Sequence, residues 1–144
     1  MNADGPGTRP PRPRPAVEPH TREYWEGAGR RELVLQRCGD CRRWIHPPQF
    51  ACPDCGSEAV RGERARGHGT LYSFSVMHMT GSPGFDTLPY AVAIVELDEQ
   101  PGLITVGHVL DCAPGELRIG MRLEVDFEDL GDGVVLPQWR RATP

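Results

Sequence analysis

Cys38-x-x-Cys41 and Cys52-x-x-Cys55, ten residues apart, form the spacing in this 144-residue chain that most clearly carries chemistry. Two sulfurs a few residues apart can reach one ion, and two such knuckles complete a tetrahedron of thiolates. Zn2+ is the expected metal, and the spacing alone leaves iron open because iron accepts the same S4 cage. Gly39 lies inside the first knuckle, Pro53 inside the second and Gly56 directly after it, where tight turns need unusual backbone angles. A cage closed by four protein ligands holds structure and leaves no open catalytic position. His46 is a conceivable further ligand, but four cysteines already fill the shell, so it reads as a polar loop residue.

Other reactive side chains do not assemble into a catalytic set. Cys112 is the one cysteine outside the cage, and His108, four residues earlier on an expected strand, shares its face at a distance. Ser73, Ser75 and His78 have no G-x-S-x-G elbow around them. Glu124, Asp126, Glu128 and Asp129 form an acidic stripe that reads as the solvated face of an edge strand. Gly67-x-Gly69 leads into strand residues and not into a helix, so it is no phosphate cradle. The chain is therefore expected to be non-catalytic.

These residues need elements to hold them. Residues 1–19 contain six of the fifteen prolines and little to bury, and read as a disordered Pro/Arg-rich tail. Residues 20–29 hold a short helix, with Thr21 as cap and Gly27 as stop. Its large apolar side chains, Tyr24 and Trp25, must pack on the ribbon or on a partner, which makes them docking candidates. Residues 30–66 form the ribbon, entered by Leu33–Gln36 and left by Trp44–Pro48. In residues 67–144, five strands are expected: Thr70–Met77, Tyr90–Leu97, Leu103–Leu110, Arg122–Glu128 and Val134–Trp139. Tyr72, Phe74 and Val76 are placed on one face of the first, and the second is apolar on both faces. A loop or helical turn at Ala113–Leu117 interrupts strands three and four, which suits a small Greek-key barrel of the OB type. The fold class is mainly β: an N-terminal helix, a zinc ribbon, then a five-stranded OB-fold barrel.

Charge narrows the partners. All sixteen basic residues are Arg; residues 67–144 carry four of them against eleven acids, net −7. Such a half repels a phosphate backbone. Residues 1–6 have no apolar core of a signal sequence, and no run is long enough to span a membrane, so a cytoplasmic protein with reduced thiols is expected.

A four-Cys ribbon followed at once by an OB-like barrel resembles the acyl-CoA-associated family with a rubredoxin-like zinc ribbon and an OB fold, catalogued as domain of unknown function thirty-five. Tyr24-Trp25-Glu26-Gly27, Leu35–Cys41, Pro47-Pro48, Cys52-Pro53-Asp54-Cys55 and Gly69–Phe74 carry the resemblance. Pro83-Gly84-Phe85, Pro89-Tyr90, Val95–Asp98, Arg118–Met121 and Leu136-Pro137 continue it, so it covers residue 21 to the C-terminus. Gln49 departs from the pattern, standing where many members have Arg after the paired prolines.

The resemblance implies an accessory subunit that binds an acyl-CoA thioester and docks on a thiolase-fold partner: a lipid-transfer-type thiolase, a steroid side-chain aldolase or a polyketide-type acyltransferase. A hydratase of the MaoC type is a further partner that it implies. CoA has a phosphate-rich end, for which Arg42 and Arg43 beside the first knuckle are candidate contacts. Phe85, in the loop joining the first two barrel strands, is a candidate for lining an acyl tunnel or a partner interface. Lipid metabolism and steroid degradation are the implied setting. The competing function is binding of single-stranded nucleic acid, for which Tyr72 and Phe74 would be the stacking pair.

Overall fold

The structure, a computed structural model, describes residues 11–79, 81–85 and 87–144. Among the described residues, one α-helix, α1 (Arg22–Gly29), precedes a three-stranded antiparallel sheet of β1 (Val34–Cys38), β2 (Trp44–Ile45) and β3 (Val60–Arg64), in the order β2-β1-β3. A second sheet contains β4 (His68–Met77), β5 (Tyr90–Leu97), β6 (Ile104–Gly107), β7 (Arg122–Asp129) and β8 (Val135–Arg141), in the order β6-β5-β4-β7-β8. Val109, just past β6, bridges in parallel to Trp139 of β8, so the sheet curls until its two outer strands meet. Two amides hold that seam: Leu110 N–H donates to Trp139 O at 2.7 Å and Trp139 N–H to His108 O at 2.8 Å. This is the curled five-stranded barrel of an OB fold. No helix of the described residues is long and apolar enough to cross a membrane.

Ribbon and barrel share one core. Leu33, Leu35 and Trp44 of the ribbon pack in the same cluster as Leu71, Val95, Leu97, Leu123 and Trp139 of the barrel. Each such side chain removed from water contributes about 2 kcal/mol. Polar atoms stitch the seam as well: the Gln100 carboxamide accepts from Trp44 N–H at 2.9 Å and donates to Trp44 O at 3.2 Å.

Several expectations are corrected. The helix runs past Gly27 to Gly29, and Gly27 is buried because a Cβ there would meet Val34 Cγ2 at 2.5 Å; the glycine permits close approach and does not stop the helix. Thr21 precedes the helix but makes no side-chain cap bond; its hydroxyl donates to Glu18 O and accepts from Glu18 N–H. Between Leu71 and Ser73 the β4–β5 register slips by one residue at Tyr72. Such a bulge exchanges the faces of the strand, so Phe74 packs against the core while Tyr72 is 59% exposed. The two rings therefore do not form the expected stacking pair. The acidic stripe lies on β7, which is flanked by β4 and β8 and is not an edge strand. Its Glu124 pairs with Arg140 at 2.9 Å, and Glu128 pairs with Arg12 and accepts from Gln138 at 3.0 Å. Residues 11–19 contain no helix or strand, yet Arg12 reaches Glu128, and Arg14 reaches Asp132 at 3.1 Å and Gly131 O at 3.3 Å.

Candidate functional site

The first site is built by two repeated turns. In the first, Cys38 N–H donates to Arg43 O at 2.9 Å and Arg42 N–H to Cys38 O at 3.1 Å; in the second, Cys52 N–H donates to Ser57 O at 2.8 Å and Gly56 N–H to Cys52 O at 2.9 Å. The bonded positions are the same in each, four and five residues after the leading cysteine. Position four needs a left-handed backbone, which Gly56 adopts at φ 75° and Arg42 at φ 65°. Of the two, only Gly56 is a residue whose type announces the turn.

The four Sγ atoms lie within 4.8 Å of one another, with 3.6 Å for Cys38–Cys55 and for Cys41–Cys52. Four sulfurs at about 2.3 Å from a tetrahedral ion would stand about 3.8 Å apart, so the thiols fit a closed metal site. Cys38 and Cys52 are buried, with Ile45 and Val60 packed around them, while Cys41 and Cys55 face outward. The Cys38 thiol is pulled down to about 6, first by a backbone hydrogen bond from Cys41, with the amide of Asp40 adding to it. Cys41 and Cys55 are shifted the other way, upward, despite their own backbone hydrogen bonds, as burial and the neighbouring thiols oppose their ionisation.

Arg42 and Arg43 flank the cage and are occupied: Arg42 Nη2 reaches Glu63 at 3.4 Å and Arg43 Nη1 reaches Asp54 at 2.8 Å. Gln49 uses its backbone, donating N–H to the buried Gln36 Oε1 at 2.7 Å, while Gln36 Nε2 donates back to Gln49 O at 2.9 Å. His46 does not turn to the cage. It lies beside Tyr24, ring centroids 5.6 Å apart, with Nδ1 buried and unpartnered, and burial lowers its pKa to about 4. Tyr24 packs against the shared core, and burial pushes its hydroxyl up to about 12. Tyr24 thus packs within the chain, one of the two settings expected for it, and Trp25, half-buried like it, stands edge-on to it at 4.8 Å.

The second site is a cleft of about 490 Å³ in the barrel, in the range of small-molecule sites. Phe85, Tyr90 and His108 form a compact ring cluster along it: Tyr90 stacks on Phe85 at 5.4 Å and on His108 at 5.1 Å, with ring planes inclined by 26° and 21°, and Phe85 and His108 meet at 6.2 Å and 47°. Arg12 enters from the N-terminal segment, its guanidinium 5.6 Å from the Phe85 centroid and paired with Glu128. Gly84 at φ 81° lets the Arg12 backbone approach, since a Cβ there would stand 2.5 Å from Arg12 N. His108 is shifted below its ordinary pKa, chiefly by burial and then by the Arg12 charge, so its imidazole is neutral near pH 7.

Phe85 therefore lines a cleft, but Arg42 and Arg43 do not reach it; Arg43 lines a separate hollow beside Trp44, His46 and Gln100. Cys112 and His108 both line the barrel cleft, and the Cys112 thiol accepts from Arg141 Nη2 at 3.5 Å. Among the described residues, no imidazole or carboxylate is hydrogen-bonded to Cys112, Ser73 or Ser75. Tyr90 was legible as part of a strand and not as a site residue. Arg12 had no signal beyond its place in a Pro/Arg tract.

Comparison with known proteins agrees with this architecture. The family model for the ChsH2 rubredoxin-like zinc ribbon domain matches residues 25–61, and that for the ChsH2 C-terminal OB-fold domain matches residues 62–128. The chain belongs to the DUF35 family. This DUF35 protein is 34% identical to a DUF35 domain-containing scaffold protein of Methanocaldococcus jannaschii, over 72% of this chain and 75% of the relative. It is 39% identical to a probable enoyl-CoA hydratase alpha subunit of Thermomonospora curvata, over 92% of this chain and 41% of the relative. A 3-oxo-4,17-pregnadiene-20-carboxyl-CoA hydratase alpha subunit of Mycobacterium tuberculosis is 33% identical over 83% of this chain and 37% of its own length. The chain thus spans about two-fifths of the hydratase subunits that it matches. Among solved structures, a chain of the Ltp2-ChsH2(DUF35) aldolase superposes with a TM-score of 0.82 at 38% identity, covering 90% of this chain and 100% of that one.

Proposed function

We propose that this DUF35 protein is a non-catalytic accessory subunit that binds an acyl-CoA thioester and docks on a thiolase-fold partner, of the lipid-transfer thiolase or side-chain aldolase kind. The observation that carries this reading is the likeness, over 90% of this chain, to a chain of the Ltp2-ChsH2(DUF35) aldolase. The hydratase relatives support a subunit role in acyl-CoA chemistry and make a MaoC-type hydratase the next partner to try. The closed thiolate cage accords with a scaffold, because a site with four protein ligands has no position for substrate. Zn2+ is its proposed occupant, held by Cys38, Cys41, Cys52 and Cys55. Bound there, the metal ties two knuckles that otherwise have only a small apolar cluster around them, and it supplies fold energy and no reaction step. Arg42, Arg43 and Phe85 remain the proposed contacts for the thioester ligand, and Trp25 the proposed docking residue.

The test is co-expression with a thiolase-fold protein encoded beside it. The two are expected to elute together, with partner activity rising when the small chain is present. Trp25→Ala should weaken co-elution while leaving the melting temperature of the isolated chain within a few degrees. Separate elution of the wild-type pair, with unchanged activity, refutes the reading.

A further inference from the structure

The barrel cleft raises a question of ligand chemistry that the accessory reading leaves open: which half of a thioester could it take? Resting on that reading, we infer that the cleft binds the acyl end of the ligand, as an uncharged ring-bearing group, with Arg12 of the N-terminal segment completing the wall.

Four observations carry this. The cleft has the volume of a small-molecule site, and one wall is the cluster of Phe85, Tyr90 and His108, in which Tyr90 stacks on each of the other two rings and Phe85 and His108 are tilted by 47°. Clustered rings present faces and edges together, a surface that favours flat apolar groups over flexible polar ones. The remaining wall includes Ala113 and Pro114, which add apolar surface without charge. Charge is balanced throughout: Arg12, the one charged residue lining the cleft among those described, is paired with Glu128, and nearby Arg141 is paired with Glu116 at 2.7 Å. Among the described residues, no unpaired cation is left there to hold a phosphate. An anionic nucleotide would also meet a barrel half whose formal charge is −7, from four Arg and eleven acids.

The N-terminal segment belongs to this site by construction. Its backbone lies against Gly84, its Arg12 guanidinium covers the Phe85 ring, and Arg14 anchors it to the β7–β8 turn at Asp132. A planar guanidinium over a ring closes the Phe85 side of the cluster while keeping its own charge on Glu128.

The experiment uses the full metal-loaded chain and thioesters that lack the nucleotide. Calorimetric titration compares the phenylacetyl and acetyl thioesters of N-acetylcysteamine, with free CoA as competitor. The phenylacetyl thioester is expected to bind more tightly than the acetyl one, and CoA should not displace it. Phe85→Ala and Arg12→Ala, both outside the shared core, should each weaken it roughly three- to tenfold. Absence of binding, equal binding of the two thioesters, displacement by CoA, or wild-type affinity in both variants overturns the proposal. A chain that co-elutes with a thiolase-fold partner but binds no thioester refutes the cleft and leaves the accessory role standing. Thioester binding without any partner does the reverse.

Discussion

Helix α1 contains two glycines for which substitution by alanine should act with opposite sign. In an exposed helix, alanine is favoured over glycine by about 1 kcal/mol, because glycine loses more backbone freedom on folding. At Gly29 a Cβ meets nothing within 4 Å, so Gly29→Ala should stabilise by up to about 1 kcal/mol, less for its place in the last turn. At Gly27 the same Cβ would lie 2.5 Å from Val34 Cγ2, 2.8 Å from Val34 Cβ and 3.1 Å from Glu32 O. Carbon atoms pack at about 3.5–4.0 Å, so helix and strand must part by about 1 Å. Neither neighbour yields readily: Val34 is stiff at χ1 and paired to Arg64 of β3, and Glu32 N–H is tied to Gly27 O at 2.9 Å. Overpacking of this kind costs about 1–3 kcal/mol, which outweighs the helix gain. Gly27→Ala should therefore destabilise by about 1–2 kcal/mol. Val34→Ala in the same chain removes the Cγ2 contact but keeps the Cβ at 2.8 Å, so it should recover part of this cost, about 0.5 kcal/mol or more, as coupling in a double-mutant cycle. Urea unfolding of the metal-loaded wild type, the three single variants and the double variant measures all five stabilities. If Gly27→Ala is as stable as Gly29→Ala, or Val34→Ala shows no coupling, the close helix–strand approach is refuted.

Two further outcomes follow from the ribbon. Elemental analysis should find one zinc per chain, lost with Cys52→Ser and retained with Cys112→Ser, and a chelator should unfold the ribbon as judged by protease nicking near residues 38–55; zinc bound equally by the Cys52→Ser chain refutes the cage. His46, pushed from 6.5 to about 4 by burial, stays neutral in the native state while the unfolded chain takes up a proton below pH 6.5. Stability from this group is present in full above pH 6.5 and is lost as pH falls towards 4, by at most about 3 kcal/mol; His46→Gln should flatten that part of the pH–stability curve, and an unchanged slope counts against a buried neutral imidazole.

The cage was legible because ligand spacing is local. Two sulfurs three residues apart are brought together by one turn, and the turn signals lie between them. The barrel strands were legible through alternation and turn residues, which again act within a few positions. Their ends were read less well, since β7 and β8 continue as long as their partners offer hydrogen bonds, to Asp129 and Arg141. The bulge at Tyr72 left no mark on composition, because an extra residue is defined by the strand opposite and not by its own type.

What the residues alone determined is the chemistry available: four thiolates for one metal, no elbow, no phosphate loop, and an acidic barrel half. Tertiary structure decided how the rest is used. It turned Tyr24 inward and spaced Gly27 for Val34, because ribbon and barrel bury one common core. It also laid Arg12 against Phe85, Tyr90 and His108, residues that no local pattern connects. A cleft is formed where distant segments meet, and its shape and charge balance are properties of that meeting.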